Sequence, residues 1–151
     1  MANASRGKPS GGAYPFALRV LALMLGLFFV FNAVDKIAWI MDSGILAERL
    51  RGWLEGAPPP TRWYIETVAM PGVPLFARLV PIAELASGAA LVLGVWTRLA
   101  AVFAFLMVTN VNFARGMFHN GEILTDGVGL PVMGALLALA IAGRLPLSLS
   151  K

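Results

Sequence analysis

Glu84 stands inside a long apolar run, residues 75–95, of this 151-residue chain. On a helix it lies about 13 Å from the nearer end of that run. A carboxylate at such depth in an apolar medium costs several kcal/mol unless it is paired, protonated or wetted. Two chemistries fit it: a proton relay or hydrogen-bonding partner for a polar ligand head, and an ion pair with a base on a neighbouring helix. Ser87 and Gly88, three and four residues on, give the same face small residues suited to close helix contact. Asn32, Asp35 and Lys36 follow one another at i, i+3 and i+4 near the end of the first apolar run. They read either as a simple Asp35–Lys36 pair at an interface or as part of the cavity that Glu84 faces. Thr109, Asn112, Arg115 and His119 are spaced three, three and four apart on one helical face, with Asn110 pointing elsewhere. A polar stripe on an apolar helix normally faces protein or water, not lipid. Arg115 is the expected partner of Glu84 or Asp35. His119 is the single histidine and the residue type suited to proton exchange near neutrality. Asn32, Asp35, Lys36, Glu84, Asn112, Arg115 and His119 are therefore the candidate polar cluster, gathered in one half of the molecule.

Several chemistries drop out. Without cysteine the chain has no disulfide, no thiol redox chemistry and no iron–sulfur ligand. One histidine cannot supply both axial ligands of a bis-His haem, and no H-x-x-x-H or E-x-x-H pattern points to a metal. There is no G-x-S-x-G and no nucleophile–histidine–acid set, and Gly127-x-Gly129 is too short for a phosphate loop. No catalytic residue can be named, and the chain is not expected to be an enzyme alone. The net charge of +4 comes from bases scattered singly between apolar runs. These read as membrane anchors and orientation signals, not as a nucleic-acid surface.

The elements that must position these residues are four apolar runs, near residues 16–40, 75–95, 99–118 and 127–143. A bilayer span needs about 20 mostly apolar residues as helix. A mean hydropathy of +0.77, with 58% hydrophobic and 13% charged residues, leaves too little polar surface for a soluble core. The fold class expected is all-α, an integral membrane four-helix bundle; the continuous runs argue against a β-barrel. Residues 1–13 are expected as a disordered arm and 14–150 as one membrane domain. The first run is too long for a signal-peptide core and lacks a small-x-small site, so it is expected to stay as an uncleaved span. The connection over 42–74 is expected to be a short helical cap. Residues 45–54 place Leu46, Leu50, Trp53 and Leu54 on one side of an interfacial helix. Pro58-Pro59-Pro60 stops it, and a second short helix follows over 61–69. Residues 95–98 form a tight hairpin link, and Thr125 or Asp126 could cap the fourth span, the shortest.

The bases divide six against six between the two sides, and the short arm with Arg6 and Lys8 favours both termini in the cytoplasm. Arg19 and Lys36 bracket span one as Arg98 and Arg115 bracket span three, each pair 17 residues apart. That is about 25 Å of helix, which fits bases snorkelling to two interfaces and reads as bilayer thickness more than as duplication.

Five segments are familiar in order and spacing: Asn32-Ala33-Val34-Asp35-Lys36; Val80-Pro81-Ile82-Ala83-Glu84-Leu85-Ala86-Ser87-Gly88; Leu93-Gly94-Val95-Trp96-Thr97-Arg98-Leu99-Ala100-Ala101; Asp126-Gly127-x-Gly129-Leu130-Pro131-Val132; and Gly143-Arg144-Leu145-Pro146-Leu147-Ser148. Over roughly residues 14–150 they resemble the DoxX/DoxD family of small four-helix membrane proteins. The resemblance implies a four-span bundle with Asp35, Lys36, Glu84 and Arg98 at family-like positions. Some members are small subunits of thiosulfate:quinone oxidoreductases, and others accompany membrane redox or stress-protection complexes. The long first connection with its three prolines departs from that pattern and suggests a partner-docking surface. No residue set here points to thiosulfate. The role implied is an accessory subunit of a larger membrane complex, redox- and quinone-linked, with a stabilising function. The alternatives are a quinone- or proton-binding subunit of a membrane oxidoreductase, and a small-solute or proton carrier. The chain brings no redox centre, so quinone is the one cofactor in view. Expected partners are the lipid bilayer and other membrane subunits or a second copy, in a bacterial-type inner membrane.

Overall fold

Apolar stretches that must satisfy their own backbone do so as helix, and among the described residues every regular element is helical. The computed structural model describes residues 13–142. Of the arm expected over residues 1–13 only Ala13 lies within them, where it opens the first helix, and the motif at 143–148 lies outside them. In chain order the elements are α1 (Ala13–Asp35), α2 (Ala38–Met41), α3 (Gly44–Leu54), α4 (Pro59–Tyr64) continuing as a π-helical turn (Ile65–Ala69), α5 (Val73–Leu93), α6 (Thr97–Ala114), α7 (Met117–Asn120), a 3₁₀ turn (Glu122–Leu124) and α8 (Leu130–Ala142). Helices α1, α5 and α6 are long and apolar enough to cross a membrane; α8, with 13 residues, is a shorter apolar helix.

These four helices touch in a ring, α1 against α5, α5 against α6, α6 against α8 and α8 back against α1. Ala22, Leu25, Phe29, Leu91, Ala101, Ala104, Val108, Leu136 and Leu139 fill its centre. Small residues at the crossings let the backbones come close. The expected seam at Ser87 and Gly88 is buried. A Cβ on Gly88 would lie 2.8 Å from the Gly26 carbonyl oxygen, and one on Gly26 would lie 2.8 Å from that of Gly88. Outward, Phe16, Met24, Leu27, Phe31, Leu75, Leu79, Ile82, Leu99, Phe103 and Leu106 are exposed. A surface this apolar suits lipid, not water.

Two of the long runs stop earlier than expected. The first breaks at Lys36–Ile37, where the amides of Ile37, Trp39 and Ile40 bond to carbonyls three residues back. That tightened turn carries the Trp39 ring into a second apolar cluster with Leu46, Leu50, Ile65, Ala69, Val73 and Ala77. The third run ends at Ala114, and Gly116 turns the chain at φ 77° into α7. A glycine takes that left-handed conformation without steric cost. The prolines of the first connection dock here: Pro58 lies beside Gly116, and the fully buried Thr61 hydroxyl donates to the Phe113 carbonyl at 3.1 Å. The segment expected to face a partner thus partly binds its own chain, while Pro59 and Pro60 stay exposed.

Two of the bases expected at the membrane interfaces find partners within the protein. Arg19 is buried and donates through both amino groups to the last carbonyls of α5, Leu91 at 2.8 Å and Val92 at 2.5 Å. Arg98 donates through Nε to the Ala140 carbonyl at 3.0 Å, near the end of α8. Helix ends leave carbonyls without amide partners, and a cation there also meets the negative end of the helix dipole. Neither Thr125 nor Asp126 caps α8. The Asp126 carboxylate instead accepts from the Val128 amide at 2.8 Å, in the turn that leads into the helix.

Candidate functional site

The end of α1 and the middle of α5 lie side by side because the glycine crossing draws these helices together. Lys36 therefore reaches Glu84, and its Nζ sits 2.8 Å from both carboxylate oxygens. Charge-assisted bonds of this length are the strong ones. Asn32, one turn back on α1, adds its side-chain oxygen at 3.3 Å from the same nitrogen and donates its amide to the Phe28 carbonyl at 2.9 Å. The side chains of Lys36 and Glu84 are only 13% and 10% exposed, so the pair is largely removed from solvent. Of the two readings open for Glu84, the ion pair is what the geometry contains. Its partner is Lys36 and not Arg115, and Asp35 forms no pair with Lys36.

A cavity of about 260 Å³ opens above this pair. Its polar lining is Asn32, Lys36, Glu84, Arg49, Asn110 and Arg115, and its aromatic walls are Phe28, Phe29, Trp39, Trp53, Tyr64 and Phe76. Helices α1, α5 and α6 make the floor, and the short helices α2 to α4 make the roof. The Arg49 guanidinium lies 5.1 Å from the centre of the Trp39 ring, and Lys36 Nζ lies 6.0 Å from it. Both are within cation–π range. The Asn110 amide donates to the Tyr64 hydroxyl at 2.6 Å, tying α6 to the roof.

Of the seven candidate residues, Asn32, Lys36, Glu84 and Arg115 share this cavity. Asp35 is exposed at the end of α1. Asn112 is fully buried but faces the start of α8, donating to the Val128 carbonyl at 3.2 Å and approaching Met133 Sδ at 3.7 Å. His119 is exposed, its ring edge-on to Phe113. The face of α6 that meets the cavity runs through Met107, Val108, Asn110, Val111, Ala114 and Arg115, so the stripe expected through Thr109, Asn112 and His119 is rotated away from it. Thr109 bonds the Phe105 carbonyl of its own helix. Arg115 is held by Asp126 at 3.0 Å. The Val128 amide and then the Arg115 guanidinium hold the Asp126 carboxyl below the usual carboxylate range.

Arg49, Trp39, Trp53, Tyr64 and Asn110 also line the cavity and stand outside the candidate set. Their signal was weak: an arginine on an amphipathic helix, and aromatics of a kind that also serve as interface anchors. Among the described residues no group of three metal-ligating side chains converges.

A model of the DoxX family matches residues 16–120. The chain belongs to the DoxX family. The match takes in α1 through α7, including both residues of the Lys36–Glu84 pair and the roof of the cavity, and ends before α8. With its three apolar helices, this DoxX protein is a membrane protein. No curated protein and no solved structure matches the chain.

Proposed function

We propose that this DoxX protein is a quinone-linked membrane subunit that receives the ring head of a lipid-soluble quinone in the cavity beneath its short helices. The observation that carries this reading is the cavity itself, with a shielded ion pair at its base and aromatic walls around it. Ligand sites are concave and mostly apolar, with a few converging polar groups. A planar ring suits the Phe28, Trp39, Trp53 and Phe76 walls, and polar groups stand where its two oxygens would lie, the Lys36–Glu84 pair at the base and the Arg49 and Arg115 donors elsewhere in the lining. A bound quinone would supply the electron chemistry that the chain's own side chains lack; the chain would bind and orient the ring and exclude water. In this reading α8 is the fourth span, its 13 residues covering about 20 Å where the bilayer is locally thin. Both termini are cytoplasmic, and the interfacial cap and the cavity face the outer side of a bacterial-type inner membrane.

Two of the four tryptophans, Trp39 and Trp53, line the cavity. Titrating a short-chain quinone into the protein in lipid nanodiscs should quench their emission saturably, and Trp39→Phe with Trp53→Phe should remove that component. Quenching that rises linearly, as in empty nanodiscs, overturns the reading.

One observation favours a second role, that of a stabilising accessory subunit: the Lys36–Glu84 pair matches each charge with the other and joins the end of α1 to α5. In that case the conservative change Glu84→Gln leaves both the quench and the activity of the parent complex unaltered.

A further inference from the structure

The inner end of the cavity has an unequal stock of hydrogen-bonding groups. The Lys36 ammonium has three hydrogens. Four acceptors stand within 3.4 Å of it: both Glu84 oxygens, the Asn32 side-chain oxygen and the Asn32 carbonyl. Every Lys36 hydrogen is therefore engaged. The Asn32 amide already donates to the Phe28 carbonyl. A carboxylate offers about four lone-pair sites, and Lys36 occupies one on each oxygen. What this end can still offer a ligand is mainly acceptor capacity, from Glu84 and the Asn32 side-chain oxygen.

The rim is the reverse. Arg49 and Asn110 line the cavity and are exposed. Arg49 lies over the Trp39 ring, its guanidinium carbon 5.1 Å from the ring centre, and a guanidinium carries five N–H donors. The Tyr64 hydroxyl accepts from Asn110 and keeps its own hydrogen to donate. Arg115 adds further donors to the lining, and the Asn110 side-chain oxygen is the one acceptor set against them, so the head best matched to the cavity donates at the inner end and accepts at the rim.

On the strength of the quinone reading above, we propose that the cavity is built for the hydroxyl-bearing, reduced form of the ring. A quinol O–H donates to the Glu84 carboxylate, and the oxygen across the ring accepts from the rim. The oxidised form has only carbonyl acceptors. It would set an unpaired acceptor against the Glu84 oxygens, and buried polar groups without partners discriminate strongly. No electron or proton leaves the ligand in this step; it is a preference in binding.

The test is a matched pair of ligands, decylubiquinone and decylubiquinol, titrated by calorimetry under anaerobic conditions into the full chain in nanodiscs. The reduced form should bind at least about tenfold tighter, the scale of one hydrogen bond to a charged acceptor. Glu84→Gln, which removes the negative charge and turns one of the two acceptor oxygens into an amide donor, should bring the ratio toward one. Equal affinities, tighter binding of the oxidised form, or a ratio unchanged in Glu84→Gln overturns the inference and leaves the quinone reading standing. Failure of both forms to bind overturns the two together. If Glu84→Gln does not fold, the ratio in the unaltered protein decides.

Discussion

The pair α1/α5 and the pair α6/α8 are built alike. In each, an arginine in the early turns of the first helix bonds carbonyls at the end of the second, Arg19 on α5 and Arg98 on α8. In each, a base 17 residues later pairs with an acid on or just before the second helix, Lys36 with Glu84 and Arg115 with Asp126. The difference is burial. Arg19 is buried and uses two amino groups, whereas Arg98 is exposed and uses one nitrogen. The Lys36–Glu84 side chains are 13% and 10% exposed, those of Arg115 and Asp126 29% and 28%. One frame thus serves two ends. In α1/α5 the charges are held where water does not screen them, and there the cavity forms. In α6/α8 they fasten a turn.

The largest effect expected from breaking this contrast is at Glu84. Glu84→Ala leaves the Lys36 ammonium without a carboxylate and should cost about 3 to 5 kcal/mol of stability, seen as a large drop in unfolding temperature in nanodiscs. Replacing both partners with apolar residues, Lys36→Met with Glu84→Leu, should recover most of that loss, because removing a whole buried pair is often close to neutral. Recovery of stability without recovery of ligand binding would separate the clasp from the site.

Next come the arginines. Arg19→Ala strips two carbonyls of their partner and should cost about 3 kcal/mol, against about 1 kcal/mol or less for Arg98→Ala. Equal losses would refute the difference in burial as its cause. A smaller contrast lies in the glycines. Gly88→Ala drives a methyl against the Gly26 carbonyl and should cost about 1 to 3 kcal/mol. Gly134→Ala on α8, where a Cβ meets nothing within 4 Å, should be neutral or slightly stabilising. The smallest effect is at Asp126. Its carboxyl is held below the usual range, so its contribution is present above the ordinary carboxylate pKa and is lost as pH falls through the lowered one. For a part-exposed pair this amounts to less than about 1 kcal/mol. Unfolding measured between pH 7 and pH 3 should show that loss only on the acid side, and Asp126→Asn should abolish it.

Much of this architecture is legible in the residues. Apolar length marks α1, α5 and α6, and proline and glycine punctuation marks the short helices between them. Glu84 and Lys36 announce themselves as charges where charges are costly. Their pairing is not legible, because it depends on how α1 and α5 are rotated about the Gly26–Gly88 contact. Arg19 is hidden for another reason: a base two turns into a helix has the same spacing whether it reaches for lipid headgroups or for a neighbour's carbonyls. Asn110 and Asn112 differ by two positions on α6, about 200° of helix. Only packing against α8 and Tyr64 decides which of them meets the cavity. The cavity needs the fold-back of Trp39, which hangs on a three-residue tightening at Lys36–Ile37 that no side chain there demands.

The Arg19 clamp also bears on biogenesis. A chain is oriented while it is being inserted, before its helices have met. At that stage Arg19 has no carbonyls of α5 to hold, and on the proposed orientation it counts with Arg6 and Lys8 as a charge retained on the cytoplasmic side. Only later is the same guanidinium drawn inside. Its replacement by lysine would keep the topogenic charge and lose the forked grip on Leu91 and Val92, so the two duties can be taken apart in a single position.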